Sequence, residues 1–316
     1  MKKSFFILLI SLLAFNLSAS HFIGGEITWE CDTDPLSPNY GKYTFFLHIY
    51  QDCDGISFSF ISENITMHNN PLFAIPITCN FSDTNDISST GVAGTEPCYN
   101  CDNQPNGVFG AVKEWVYISD PVAIAGTPPV DGWHFTWGSC CRSNSITNIP
   151  SPGSADWTIR SVMYPYTDPS GTIFPNSSMC HDNSPIFKER PKTLLCTGYP
   201  FSYSHLAFDV DLDSLSYSWA EPLDAEINYD PANPSASALA FTAPYLFNSP
   251  IPGNPTLNNQ NGEISFNSNT AGIFVTCVKV AAFKCGQLVA EVFRDVNVAL
   301  KSCGTLPSGL PNLPPV

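Results

Sequence analysis

The sequence predicts an all-β protein made of two immunoglobulin-like β-sandwich domains cross-linked by disulfides. Three observations predict it. Short aromatic and β-branched stretches recur between clusters of Pro, Gly, Asn and Asp, the pattern of strands and tight turns. Apolar residues at helical spacing are nearly absent. Twelve cysteines follow an N-terminal export signal, an even number bound for a compartment where thiols oxidise.

The export signal comes first. Lys2 and Lys3 precede an apolar run over 5–15 that only Ser11 interrupts, and Ser18-Ala19-Ser20 is a small-x-small cleavage site. The mature chain is therefore expected to begin at His21, outside the cell or on its outer surface. No later stretch is long and apolar enough for a transmembrane helix. Residues 21–190 are expected to form a larger, irregular β-rich domain, with strands at 25–31, 42–50, 58–61, 109–118, 132–137 and 157–163. Along 43–50, Tyr43, Phe45, Leu47 and Ile49 share one face, opposite Thr44, Phe46, His48 and Tyr50. A composition break over 175–193, rich in Asn, Ser and Pro, precedes a second series at 201–208, 215–219, 262–266, 273–283 and 288–300. The last two read as a long hairpin turning at Cys285-Gly286. Residues 191–303 are thus expected to be the second sandwich, and 304–316 a Pro-rich tail or linker.

Composition narrows the function classes. A net charge of −15 with only 13 Lys and Arg argues against nucleic acid, whose phosphates need a basic surface. It argues equally against anionic membrane surfaces. It suits divalent cations or neutral glycans, or simply solubility after export. No G-x-S-x-G, H-E-x-x-H or glycine-rich phosphate loop is present, and Glu114, Glu221 and Glu291 are scattered acids without a mutual spacing signal. No catalytic residue is expected.

The candidate metal ligands are Asp209, Asp211 and Asp213. In extended backbone, alternate carboxylates project to one side, where a hard cation with oxygen ligands such as calcium would neutralise them. The other reading of the same residues is a solvated turn, and Asp182 and Asp224 are possible additional ligands. Asp52 and Asp54, on either side of Cys53, read as turn formers. Cys98-Tyr99-Asn100-Cys101 reads as a disulfide staple first. The alternatives are a redox pair, or a zinc site recruiting Cys140, Cys141 and His134. His21, as a free N-terminus, could chelate copper with a second histidine, for which His48, His134 and His205 are the candidates. Trp29, Trp115, Trp133, Trp137, Trp157 and Trp219 read mostly as core, although exposed ones could stack on sugars.

Two segments carry a resemblance. His21-Phe22-Ile23-Gly24-Gly25-Glu26-Ile27-Thr28-Trp29-Glu30-Cys31, with Gly41-Lys42-Tyr43-Thr44-Phe45 and Tyr50-Gln51-Asp52-Cys53, resembles the N-terminal region of large exported surface proteins of gliding Bacteroidota. Those proteins carry arrays of immunoglobulin-like modules and a gliding-associated C-terminal domain. The stretch 199–217, containing Asp209-Val210-Asp211-Leu212-Asp213-Ser214-Leu215, resembles cadherin-like surface domains, as do Gly262-Glu263-Ile264-Ser265-Phe266 and Ala271-Gly272-Ile273-Phe274-Val275-Thr276. Leu212 stands where such domains commonly carry Gly. The resemblance implies β-sandwiches and a surface role, not a reaction.

The resulting expectation is a non-catalytic secreted or cell-surface module for adhesion or gliding, possible calcium stabilisation included, whose ligand is an extracellular glycan or surface protein. The competing expectation is a secreted carbohydrate-binding module or a copper-dependent polysaccharide oxygenase.

Overall fold

The computed structural model describes residues 22–53, 55, 60–72, 76–88, 101–102, 111–176 and 179–302. The segment expected to be an export signal, His21, Cys98 and residues 304–316 lie outside the described residues. Among those described there is no α-helix, only three short 3-10 turns, and no helix long and apolar enough to cross a membrane.

The first half contributes β1 (Phe22–Cys31), β2 (Tyr43–Asp52), β3 (Ser62–His68), β4 (Ile77–Asp86), β5 (Val112–Ser119), β6 (Trp133–Ser139) and β7 (Trp157–Met163). Short strands follow: β8 (Tyr166–Thr167), β9 (Ile173–Phe174), β10 (Ile186–Phe187), β11 (Leu194–Cys196), β12 (Pro200–Ser204) and β13 (Ala207–Phe208). The chain ends in β14 (Ser214–Trp219), β15 (Thr256–Leu257), β16 (Glu263–Asn267), β17 (Gly272–Lys284) and β18 (Gln287–Lys301).

One sheet runs β1-β2-β5-β4-β3-β6-β7-β18-β17-β14, and β18 also pairs with β1 and, in parallel, with β11. The sheet folds back on itself. β7 meets β18 at 290–292 and β1 meets it at 295–296, so the β1-β2-β5-β4 and β3-β6-β7 portions close against the same strand. The alternation of β2 decides what fills this closed layer pair. Tyr43, Phe45, Leu47 and Ile49 are all buried, facing Ile27, Trp29, Phe135, Trp133, Trp137, Trp157 and Ile159. Phe22 packs edge-on against Trp157 with ring centroids 4.5 Å apart, and Phe45 lies 4.7 Å from Phe135. Each such buried side chain contributes about 1.5–3 kcal/mol.

A second core lies on the other side of β18. The β11-β18-β17-β14 portion faces the small sheet β12-β16-β15 across Leu195, Tyr217, Ile264, Phe266, Phe274, Val280, Val292 and Leu300. β18 therefore belongs to both packed units, and Val289 and Ala290 sit in the first core while Val292 and Val298 sit in the second. A strand covered this completely is expected to be apolar, yet Arg294 and Asp295 are buried in it at 1% and 3% exposure. Both are paired. Arg294 makes a two-pronged contact with Glu26 of β1, its Nη2 donating to Oε1 at 2.9 Å while Nε donates to Oε2. Arg142 donates to Asp295 from Nη2 at 2.7 Å and from Nη1 at 3.3 Å.

Several sequence expectations shift. The strand expected at 58–61 is displaced: Phe60 and Ile61 precede β3, which starts at Ser62. The strand expected over 201–208 splits into β12 and β13, because Leu206 turns at φ 36°. β4 was not expected, since most of its residues are exposed and polar and its apolar alternation stops after Ile77, Cys79 and Phe81. Nor do all twelve cysteines pair. Cys31–Cys180, Cys53–Cys101 and Cys140–Cys141 are disulfides and Cys196 is disulfide-bonded, whereas Cys79 and Cys277 are buried thiols and Cys285 is an exposed one. Burial pushes the Cys79 thiol up to about 12, which keeps it protonated and unreactive.

Replacing Glu26 by Gln leaves the Arg294 guanidinium buried without a counter-charge. Breaking such a pair costs about 3–5 kcal/mol, whereas replacing both partners with apolar residues restores much of the loss. Urea unfolding of Glu26→Gln and of a Glu26→Leu, Arg294→Met double variant tests this. Equal losses in both would show that the cost comes from losing the pair's own contacts and not from an orphaned charge.

Candidate functional site

The acidic stretch after β13 forms a compact turn. Asp209 is buried, and its Oδ1 accepts the backbone N–H groups of Asp211 (2.9 Å) and Asp213 (3.2 Å). This closes the loop and forces Leu212 to φ 61°, a left-handed conformation that glycine adopts at no steric cost. The three carboxylates part company. Asp211 turns to the 179–184 segment, where its Oδ2 accepts the backbone and side-chain N–H groups of Asn183 at 2.8 and 2.9 Å. Asp213 meets Lys284, the last residue of β17, whose Nζ lies 3.1 Å from its Oδ1. The same ammonium is 2.8 Å from Oδ1 of Asp182. Asp224, the other candidate, is elsewhere, accepting the N–H of Asp156.

One ammonium thus serves Asp182 and Asp213, with Asp209 and Asp211 adjoining. Asp182 Oδ2, Asp209 Oδ2 and Asp213 Oδ2 are buried and accept no hydrogen bond. The surplus negative charge shows in the titration behaviour. Burial pushes Asp182 up to about 8; Lys284 opposes the shift, and the Asp213 and Asp211 charges reinforce it. Burial likewise raises Asp209. Asp211 is held below its usual range, because the Asn183 hydrogen bonds outweigh its burial. Lys284 is held charged by its two carboxylates, against the pull of burial. Oxygen donors able to hold a hard cation are therefore present, on Asp182, Asp209 and Asp213. No three of them converge within 4.8 Å in this arrangement, with the ammonium bridging two of them.

The histidines proposed as copper partners sit in different surroundings. His48 binds Glu114 through Nδ1 at 2.9 Å. His134 is buried and uses both ring nitrogens, on the Tyr229 hydroxyl and on the Asp131 carbonyl. His205 is buried at 2% exposure with neither ring nitrogen bonded, and burial holds it well below its ordinary value, hence neutral. The zinc alternative is overturned: Cys101 is bonded to Cys53, Cys140 to Cys141, and His134 has no nitrogen to offer. The Cys140–Cys141 sulfurs and the Asp156 carboxylate lie within 4.8 Å of one another, but sulfurs bonded to each other are not thiolate ligands. Trp29, Trp133, Trp137 and Trp157 are core, as expected.

A cleft of about 310 Å³ opens on the outward face of β1, β2 and β5, roofed by residues 186–191. The period-two alternation that buries Ile27, Phe45 and Ile49 presents Glu26, Thr28, Glu30, Phe46, His48 and Tyr50 to this side. The two faces of β2 are legible in its alternation, whereas Glu114 and the 186–191 segment reach it only through the fold. In comparisons with known proteins, no family model, no curated protein and no solved structure matches this chain.

Because Asp182 is raised in the folded state, the fold holds a proton there that the unfolded chain releases at lower pH. Its contribution is complete below about pH 4, declines as pH rises and is spent near pH 8. Melting temperature should fall across that window, and Asp182→Asn should flatten the fall. A parent profile that Asp182→Asn leaves unchanged would rule this group out.

Proposed function

We propose that the chain is an exported, non-catalytic module of the cell surface or extracellular space, supporting adhesion or gliding. The observation that carries this reading is how the two packed units are tied. They share β18, and Cys31–Cys180, Glu26–Arg294, Arg142–Asp295 and Lys284–Asp182 join segments far apart in sequence. A disulfide spanning 149 residues withdraws much of the unfolded chain's freedom. Such a frame suits a part that must keep its shape outside the cell.

The strand arrangement of 191–303 supports an immunoglobulin-like reading of that unit. β12-β16-β15 opposes β18-β17-β14, the B-E-D against C-F-G division of that fold, with β11 added beside β18. Residues 21–190 are read as a second, larger sandwich. The resemblance read in the sequence to Bacteroidota surface arrays and the expected export signal support the same reading.

Calcium belongs to this proposal. A hard divalent cation at Asp182, Asp209 and Asp213 would supply the positive charge that one ammonium leaves wanting, and would stiffen the 209–213 loop against the 179–184 segment. The expected result is a melting temperature that rises with added Ca²⁺ in the parent and not in Asp209→Asn. A parent indifferent to Ca²⁺ rejects the cation while leaving the scaffold reading in place.

The scaffold reading is tested on intact producing cells with a membrane-impermeant biotin reagent and with a deletion strain. Labelling of the chain, together with loss of attachment or spreading in the deletion strain, is expected. A chain labelled only after lysis overturns it.

A further inference from the structure

We infer that the cleft roofed by residues 186–191 is a binding site for a neutral sugar, one or two pyranose rings of a glycan. The inference rests on the surface-module reading for its setting, but its chemistry stands on the cleft alone.

The walls are fixed before any ligand arrives. Arg294 binds Glu26 in the floor, donates from Nη1 to the Glu189 carbonyl of the roof at 2.8 Å, and stacks its guanidinium 4.0 Å from the centroid of Phe187. One buried side chain therefore holds floor and roof at a set distance. A preorganised cleft avoids the ordering cost that weakens binding by mobile loops.

The charge balance argues for an uncharged ligand. Four carboxylates line the cleft, Glu26, Glu30, Glu114 and Glu189, against Lys188, Arg190 and Arg294. Glu26 is neutralised by Arg294, and Glu114 is hydrogen-bonded to His48 Nδ1. Burial pulls the His48 pKa down, but the Glu114 hydrogen bond and the Glu26 and Glu114 charges outweigh it and raise the value. Glu114 is lowered in turn, as His48 and Asn85 overcome its burial. Lys188 lies over the Phe208 ring at 5.3 Å, and Arg190 donates to the Asp86 carbonyl. In a chain of net charge −15, this cleft is close to neutral and its cations are engaged.

What remains for a ligand is a mixed set. Phe46 supplies a half-buried aromatic ring, the kind of surface on which the C–H face of a pyranose packs. Glu30 is an exposed carboxylate that accepts from hydroxyls. His48, its Nδ1 committed to Glu114, has Nε2 left to offer. A cleft of about 310 Å³ lies at the small end of ligand sites, the scale of a sugar rather than of a folded partner.

The test uses the purified mature chain with cellobiose, maltose, lactose and N,N′-diacetylchitobiose, and with glucuronic acid and glucosamine as charged counterparts. Saturation-transfer NMR and calorimetry read the binding. At least one neutral disaccharide should bind at about 10 mM or below and better than either charged sugar, with affinity falling about tenfold or more in Phe46→Ala. Near-UV circular dichroism checks folding; should Phe46→Ala not fold, Glu30→Ala on the exposed rim must weaken the same sugar. No transfer to any neutral sugar, a preference for a charged one, or binding indifferent to these substitutions overturns the inference. None of these outcomes bears on surface location, which the labelling of intact cells decides separately.

Discussion

The architecture depends on one strand being shared. β18 lends one edge to β17 along its length and divides the other among β7, β1 and β11. Two cores are thereby joined to a single backbone. Sharing leaves no solvent-facing side for charged residues, so Arg294 and Asp295 must each meet an opposite charge from the first half of the chain. An unpaired charge there would remove a large share of the fold's stability. The Glu26–Arg294 pair thus favours β1 as the neighbour of β18, and Arg142 ties the segment between β6 and β7 to Asp295. Backbone hydrogen bonding alone would accept many strands at that edge.

Long strands with runs of core-facing residues were legible in the sequence, and short or mostly polar ones were hidden. β2, β7, β17 and β18 declare themselves through runs of aromatic and β-branched residues whose alternation or continuity survives into the fold. β4 places only Ile77 and Cys79 in the first core, and its polar remainder, with Asn80, Asp83, Thr84 and Asn85, is held by pairing with β5 and β3. Shared membership of β18 was equally invisible, since hydrogen bonds between distant strands leave no local mark.

The acidic stretch was read in part. Its alternation suggested three carboxylates on one side, which holds for extended backbone. Asp209 instead accepts from the backbone of its two neighbours, and the loop curls. That curl sends Asp211 toward Asn183 and brings Asp213 to Lys284. Asp182, on a segment anchored to β1 through Cys180, could be placed only by knowing the disulfide. The cleft was legible to a lesser degree. One face of β2 showed a mixed set of Phe46, His48 and Tyr50, and the roof over it came from a segment more than a hundred residues away.

The shared strand also limits how this chain can be divided. A gene fragment ending near residue 190 would encode β1 and β7 without the neighbour that covers both of them. Each would present bare amide and carbonyl groups to any strand it met, inviting self-association through exposed sheet edges. Recombination at that point would therefore scatter unfinished sheets rather than swap intact modules. Insertions should concentrate in surface turns such as 168–172 between β8 and β9, where Asp168 bonds Ser170 and Thr172 within the turn and Gly171 has open space around it.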